Sequence, residues 1–279
     1  MLRKTICFYL LCTFSLFAQN SADFWAADSI PIQGDPGVRT KHADRGALLP
    51  DSVGGVLAHV AAGGPWRTLI FLTNPGTSDP AKAKLRFYTS NGTSMTVTLT
   101  DSRKTVTNSA FEISLPARQS LFLETTNLPP LTQVGFADLD IEFGKMTGYA
   151  IFRAVIGNAP NLEAVVPLEW GVSKDSIIAF DNTQGFVTSI AVANRWLYTP
   201  CELVADIYDE MGVWLASYRK YLPGQSHTAF ETTREWPATA GRRGTVRLSR
   251  VGTSCNYAAL ALLFNPTGSV TSAPVIDIR

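Results

Sequence analysis

Thr68-Leu69-Ile70-Phe71-Leu72-Thr73-Asn74 returns 120 residues later as Thr188-Ser189-Ile190-Ala191-Val192-Ala193-Asn194, with Thr at one end and Asn at the other. The same offset carries Leu57 onto Ile177, Trp66 onto Phe186, Phe87-Tyr88 onto Ile207-Tyr208 and Gly92 onto Gly212. One ungapped offset over that span marks an internal duplication, and a duplication decides the fold before any single element is assigned. Further along, Leu115-Pro116 matches Leu222-Pro223, and Phe122-Leu123-Glu124-Thr125-Thr126 matches Ala229-Phe230-Glu231-Thr232-Thr233. The offset there is 107, so the first copy carries 13 extra residues between about 99 and 115. Gly135 then pairs with Gly244, and Tyr149-Ala150-Ile151-Phe152 with Leu260-Ala261-Leu262-Leu263. Ala164-Val165-Val166-Pro167 and Ser272-Ala273-Pro274-Val275 close the copies. Each copy is about 110 residues long, the size of one β-sandwich domain.

Within each copy the apolar period is two. Ala83, Leu85 and Phe87 alternate with Lys82, Lys84, Arg86 and Tyr88, and Leu203, Ala205 and Ile207 repeat the scheme. Met95, Val97 and Leu99 alternate with threonines, and Ala137, Leu139 and Ile141 alternate with Phe136, Asp138, Asp140 and Glu142. A period of two with one apolar face is the mark of half-buried antiparallel strands. Turn signals separate the runs, among them Asn74-Pro75-Gly76, Ser90-Asn91-Gly92 and Asn265-Pro266. No stretch of the mature chain carries a sustained 3.6-residue apolar stripe. The expectation is an all-β protein of two tandem immunoglobulin-like or fibronectin-like antiparallel β-sandwiches, at 53-171 and 172-279. A short joint around 169 to 175 contains Trp170, expected to pack between the copies.

The order of Gly64 to Trp66, the Thr-to-Asn strand, the Phe-Tyr strand with its following Gly, the Leu-Pro element and the Tyr149 to Arg153 strand resembles a group of uncharacterised secreted bacterial proteins with a duplicated immunoglobulin-like β-sandwich domain. The resemblance runs from about residue 53 to the end. It implies fold and export, and carries no chemistry.

Export is also read from the first residues. Arg3 and Lys4 precede an apolar run from Ile6 to about Phe17, and the chain turns polar at Gln19, Asn20 and Ser21. This is the profile of a secretory signal peptide at 1-18, too short for a membrane span of about 20 residues. Leu16 fits the small-residue cleavage rule poorly, so an uncleaved anchor is the alternative. Residues 19-52, rich in Asp, Pro and Gly, lie outside the repeat and read as a linker or an N-terminal arm. No later segment is long and apolar enough to span a bilayer, so a secreted or cell-surface location is expected. The 24 basic residues, less Arg3 and Lys4, leave 22 against 23 acidic ones, a net charge of −1. That balance gives no basic footprint for nucleic acid. Removal of Cys7 and Cys12 with the signal leaves Cys201 and Cys255, which in an oxidising compartment invite one disulfide. Two buried thiols are the alternative.

Catalysis requires a nucleophile, a base and an orienting group, or a metal with three or four ligands. The histidines are His42, His59 and His227, expected as satisfied or surface side chains, and no nucleophile elbow surrounds Ser226. Asp138, Asp140 and Glu142 share one strand face, where a hard cation or a carboxylate pair for glycan hydrolysis would sit. Their counterparts Arg247, Ser249 and Val251 lack the feature, and a solvated outer face is the plainer reading. Asp206, Asp209 and Glu210 read as turn acids. No catalytic residue, metal or cofactor is expected.

Aromatic residues carry more promise. After equivalent strands the first copy has Asn74-Pro75-Gly76, whereas the second has Asn194-Arg195-Trp196-Leu197-Tyr198. Arg195, Trp196 and Tyr198 are the residues expected to bind, since exposed rings with an arginine are enriched at recognition surfaces. Trp214 and Trp236 either extend that patch or belong to the core. The expected role is a non-enzymatic module for extracellular or cell-surface interaction, with an extracellular protein or a glycan as partner. A structural spacer is the alternative, and a glycan hydrolase working through Asp138 is a third reading.

Overall fold

Alternation along 81–89 folds as the pattern predicts. In the computed structural model, which describes residues 54–126, 132–155, 162–170, 175–252 and 255–278, Ala81, Ala83, Leu85 and Phe87 are buried while Lys82 is exposed. The described chain is all-β and antiparallel, and none of its helices is long and apolar enough to cross a membrane. The expected signal peptide at 1-18, the arm at 19-52 and the side chain of Trp170 lie outside the described residues. Residues 54–170 with 225–227 form one compact unit, and 175–224 with 228–278 form another.

The first unit contains β1 (Gly54–Ala62), β2 (Trp66–Thr73), β3 (Ala81–Thr89), β4 (Val97–Thr100), β5 (Thr105–Asn108), β6 (Ala110–Leu115), β7 (Ser120–Thr125), β8 (Gln133–Phe143), β9 (Thr147–Ala154) and β10 (Leu162–Trp170). They join in one sheet of order β5-β4-β7-β2-β9-β10-β1-β8-β3-β6. The sandwich pattern predicts two separate sheets, and β10 is why only one is found. Its residues 162–167 pair with β9, and from Leu168 onward it pairs with β1, so a single strand leaves one layer and enters the other. Only Ser109 separates β5 from β6, yet they lie at opposite edges, so the sheet curls back toward a barrel. β1 is buried on both faces, as expected of a strand wrapped inside such a sheet.

The second unit contains β11 (Asp175–Asp181), β12 (Val187–Asn194), β13 (Cys201–Asp209), β14 (Trp214–Leu222), β15 (Ser226–Glu231) from residue 228 onward, the single turn α1 (Thr232–Glu235), β16 (Arg243–Arg250), β17 (Tyr257–Phe264), β18 (Val270–Ala273) and β19 (Val275–Ile278), the first two residues of β15 belonging to the first unit. Here two sheets stay distinct, β14-β13-β16-β11-β19 and β15-β12-β17-β18. Pro274, 107 residues after Pro167, stands between β18 and β19, which pair with β17 and β11 respectively. A proline has no N–H to donate to a ladder, and the switch between layers falls at this residue. Ile178, Ile190, Leu203, Ile207, Val246 and Leu248 fill the core, and a disulfide joins Cys201 to Cys255, 4.9 Å apart at Cα.

Equivalent side chains do equivalent work in the two units. The Thr68 hydroxyl donates to Ala61 O and accepts from Ala61 N, and Thr188 makes the same two bonds with Asp181. Asn74 Nδ2 donates to Asp79 O and Leu115 O. Asn194 Nδ2 donates to Thr199 O and Pro223 O. A Cβ on Gly135 would meet Tyr88 O at 1.8 Å, and one on Gly244 would meet Tyr208 O at 2.0 Å, so the facing strands close only over glycine.

Candidate functional site

The loop that holds Arg195, Trp196 and Tyr198 is built by Asn194. That buried amide donates to Thr199 O (2.9 Å) and Pro223 O (2.9 Å), and its Oδ1 accepts the Trp196 N–H (3.2 Å), so the loop closes over one side chain. Gly224 lies so close beneath that a Cβ there would meet Leu197 O at 2.3 Å. Tyr198 is 89% exposed and Leu197 stands beside it in solvent, whereas Arg195 and Trp196 are half-buried. The indole N–H of Trp196 is buried and makes no hydrogen bond with a described residue. The trio therefore separates, and Tyr198 alone of the three stands clear.

The other candidates resolve from the geometry around them. Trp236 is core, edge-on to Phe230 with centroids 4.9 Å apart, and Trp214 Nε1 donates to Ser217 Oγ at 3.2 Å. Asp140 pairs with Arg86 at 3.1 Å, and burial followed by the Asp138 charge pushes the Tyr88 phenol up. Those acids face the basic outer row of β3. Asp206 is buried and accepts the Ser217 hydroxyl, while Asp209 Oδ1 caps the N–H groups of Met211 and Val213 in a hairpin turn. Among the described residues no group of three or more His, Cys, Asp or Glu is gathered as metal ligands would be.

His42 lies outside the described residues, and the other two histidines correct the surface reading. His59 and His227 are both buried, with His59 Nδ1 and His227 Nε2 joined by a 3.0 Å hydrogen bond and Ser90 Oγ 3.0 Å from His227 Nδ1. Burial lowers the His59 imidazole to about 4 and holds His227 well below its ordinary value. The order hydroxyl, imidazole, imidazole has the form of a nucleophile with its base and orienting group. A base so reluctant to hold a proton is poorly matched to drawing one from a serine at neutral pH. The sequence had no signal for this pairing, since the two residues are 168 positions apart.

The outer face of β7-β2-β9-β10 carries an arrangement that period-two reasoning missed. Register places Phe122, Phe71, Tyr149 and Pro167 side by side across four strands, with Glu124, Leu69, Ile151 and Val165 in the next row. Phe122 is 68% exposed, and Tyr149, Val165 and Pro167 are also exposed. The Phe71 ring lies 5.0 Å from that of Phe122 and 5.2 Å from that of Tyr149. The rings and Glu124 border a shallow hollow of about 330 Å³, and the Glu124 carboxylate makes no ion pair or hydrogen bond with a described residue. The positions equivalent to Phe71 and Tyr149 hold Ala191 and Leu260, both buried, so the aromatic row belongs to the first unit alone. The signal was present in the sequence as three rings on outward positions, but only pairing register brings them together.

Compared with known proteins, the chain matches no protein family, no curated protein and no solved structure.

Proposed function

We propose that this is a secreted, non-enzymatic module of extracellular or cell-surface interaction, built from two immunoglobulin-like or fibronectin-like sandwiches in tandem, whose first unit holds a glycan. The tandem reading is supported by the matched bonds of Thr68 with Thr188 and Asn74 with Asn194, and by layer switches 107 residues apart at Pro167 and Pro274. The disulfide between Cys201 and Cys255 fits an oxidising compartment.

One observation carries the binding role: the row of Phe122, Phe71 and Tyr149 on an outer sheet face, beside the carboxylate of Glu124. A ring as exposed as Phe122 contributes little to a monomer's core, and contiguous apolar patches mark interaction sites. The C–H face of a sugar stacks on rings, and its hydroxyls donate to a carboxylate, so a glycan uses both parts of the hollow. The test is binding to an array of extracellular polysaccharides by the wild type and the Phe122→Ala, Tyr149→Ala and Tyr198→Ala variants. Loss in the first two, with Tyr198→Ala unaffected, is the expected result. Loss in Tyr198→Ala alone moves the site to the second unit, and no binding by the wild type leaves a spacer.

A further inference from the structure

We propose that the first unit has a second binding site, a slot between β6 and β7 that accepts an extended acidic peptide of a partner protein as an added strand. β6 pairs with β3 along one side and with no described strand along the other. β7 pairs with β2 along one side. On its other side β4 meets only Glu124 and Thr125, which leaves 120–123 open. Between the two edges lies a hollow of about 680 Å³ lined by Leu99, Val106, Phe111, Ile113, Leu121 and Leu123. An open edge above an apolar floor is what strand addition uses: backbone groups supply the affinity and alternate side chains fill the floor.

The direction of the β6 backbone follows from one bond. Phe87 N–H donates to Ser109 O at 2.9 Å, and with β3 and β6 in register from Leu85 opposite Phe111 to Ala81 opposite Leu115, alternation turns the backbones of Phe111, Ile113 and Leu115 toward β3. The N–H and C=O groups of Ala110, Glu112 and Ser114 therefore face the slot.

Charge selects the occupant. Arg103, with 81% of its side chain exposed, and the exposed Lys104 border one end of the slot. The acids nearby are engaged: Asp101 Oδ1 accepts the Arg103 and Lys104 N–H groups at 2.7 Å each and its Oδ2 lies 3.9 Å from the otherwise exposed Arg103 guanidinium, while Glu112 pairs with Lys84 at 2.7 Å. The second unit closes the equivalent gap from within. At the position of Ile113 it has Lys220, whose ammonium reaches Glu235 at 2.7 Å and lies 5.5 Å from the Phe230 ring, the counterpart of Leu123. Ile113 can make no such clamp, and the first unit's slot stays open.

The test titrates the full chain into a fluorescent synthetic peptide of alternating valine and threonine with an aspartate at each end, beside a counterpart with lysine ends, read by polarisation. Saturable binding of the acidic peptide only is expected, weakened by salt and by the paired Arg103→Glu and Lys104→Glu changes. Ser114→Pro removes one outward N–H and is expected to weaken binding about tenfold, while Ser114→Ala leaves it unchanged. If Ser114→Pro does not fold, the Arg103 and Lys104 variants carry the test. Phe122→Ala is expected to bind the peptide normally, which separates this slot from the aromatic hollow. No saturable binding, equal binding of both peptides, or a wild-type dimer abolished by Ser114→Pro would overturn the proposal.

Discussion

Phe122 of β7 lies directly opposite Phe71 of β2, with ring centroids 5.0 Å apart, and keeps 68% of its surface in solvent. A ring so exposed adds little to stability. Phe122→Ala is expected to change unfolding free energy by no more than about 0.5 kcal/mol while removing glycan binding. A thermal melt read beside the polysaccharide array separates the two effects.

Asn194→Ala removes the amide donor that Thr199 O and Pro223 O share, in a loop closed over that one side chain. Denaturant unfolding is expected to fall by about 2 kcal/mol. Asn194→Asp is expected to cost more, since a carboxylate then faces the same carbonyl oxygens. Asn74→Ala should behave alike, because its amide bonds Asp79 O and Leu115 O.

Gly244→Ala and Gly135→Ala drive a methyl into a carbonyl oxygen of the adjacent strand, at 2.0 and 1.8 Å. The strands must part to admit it, at about 3 kcal/mol. Gly212→Ala meets open space and carries only the strain of a φ of +78°, expected near 1 kcal/mol. Parallel denaturant titrations of the three variants test that order.

Burial of His59 sets an acid limit. Its imidazole is lowered to about 4, below the unfolded value near 6.5, so the folded state holds fewer protons than the unfolded one between those values. The stability tied to neutral His59 is complete above about pH 6.5, is lost as pH falls toward 4, and levels off below that. Its full size is on the order of 3 kcal/mol. His59→Leu should make the profile of unfolding free energy against pH shallower between about 6.5 and 4, the slope that remains belonging to the buried His227, whose imidazole is also held below its ordinary value. An unchanged slope in the variant would show that His59 contributes nothing to it.

Reduction of Cys201 and Cys255 frees a chain segment spanning 54 positions. The lost constraint on the unfolded chain is about 4 kcal/mol. Calorimetry with and without reductant should show the second unit's transition falling while the first unit's transition stays in place.

Strand assignment was legible because it depends on neighbours in the chain. Alternation at Ala83, Leu85 and Phe87, and at Ala137, Leu139 and Ile141, named the buried face of β3 and β8 from residues two apart. The same reasoning failed at Phe136, assigned to the outer row with Asp138, because Tyr88 stacks on it at 5.2 Å and buries it. It also failed at the outer face of β2, where alternation assigns a side to Phe71 but is silent on what β7 and β9 place beside it.

By itself, then, the amino-acid order determined antiparallel strands with one apolar face, since a pleated backbone turns successive side chains to opposite sides. Only the tertiary structure decided that β10 would cross between layers, that His59 would bury against His227, and that three rings would share an outer surface. Each of those depends on which distant strands pair and in which register, and pairing is settled by the combined packing of the whole unit rather than by any local stretch.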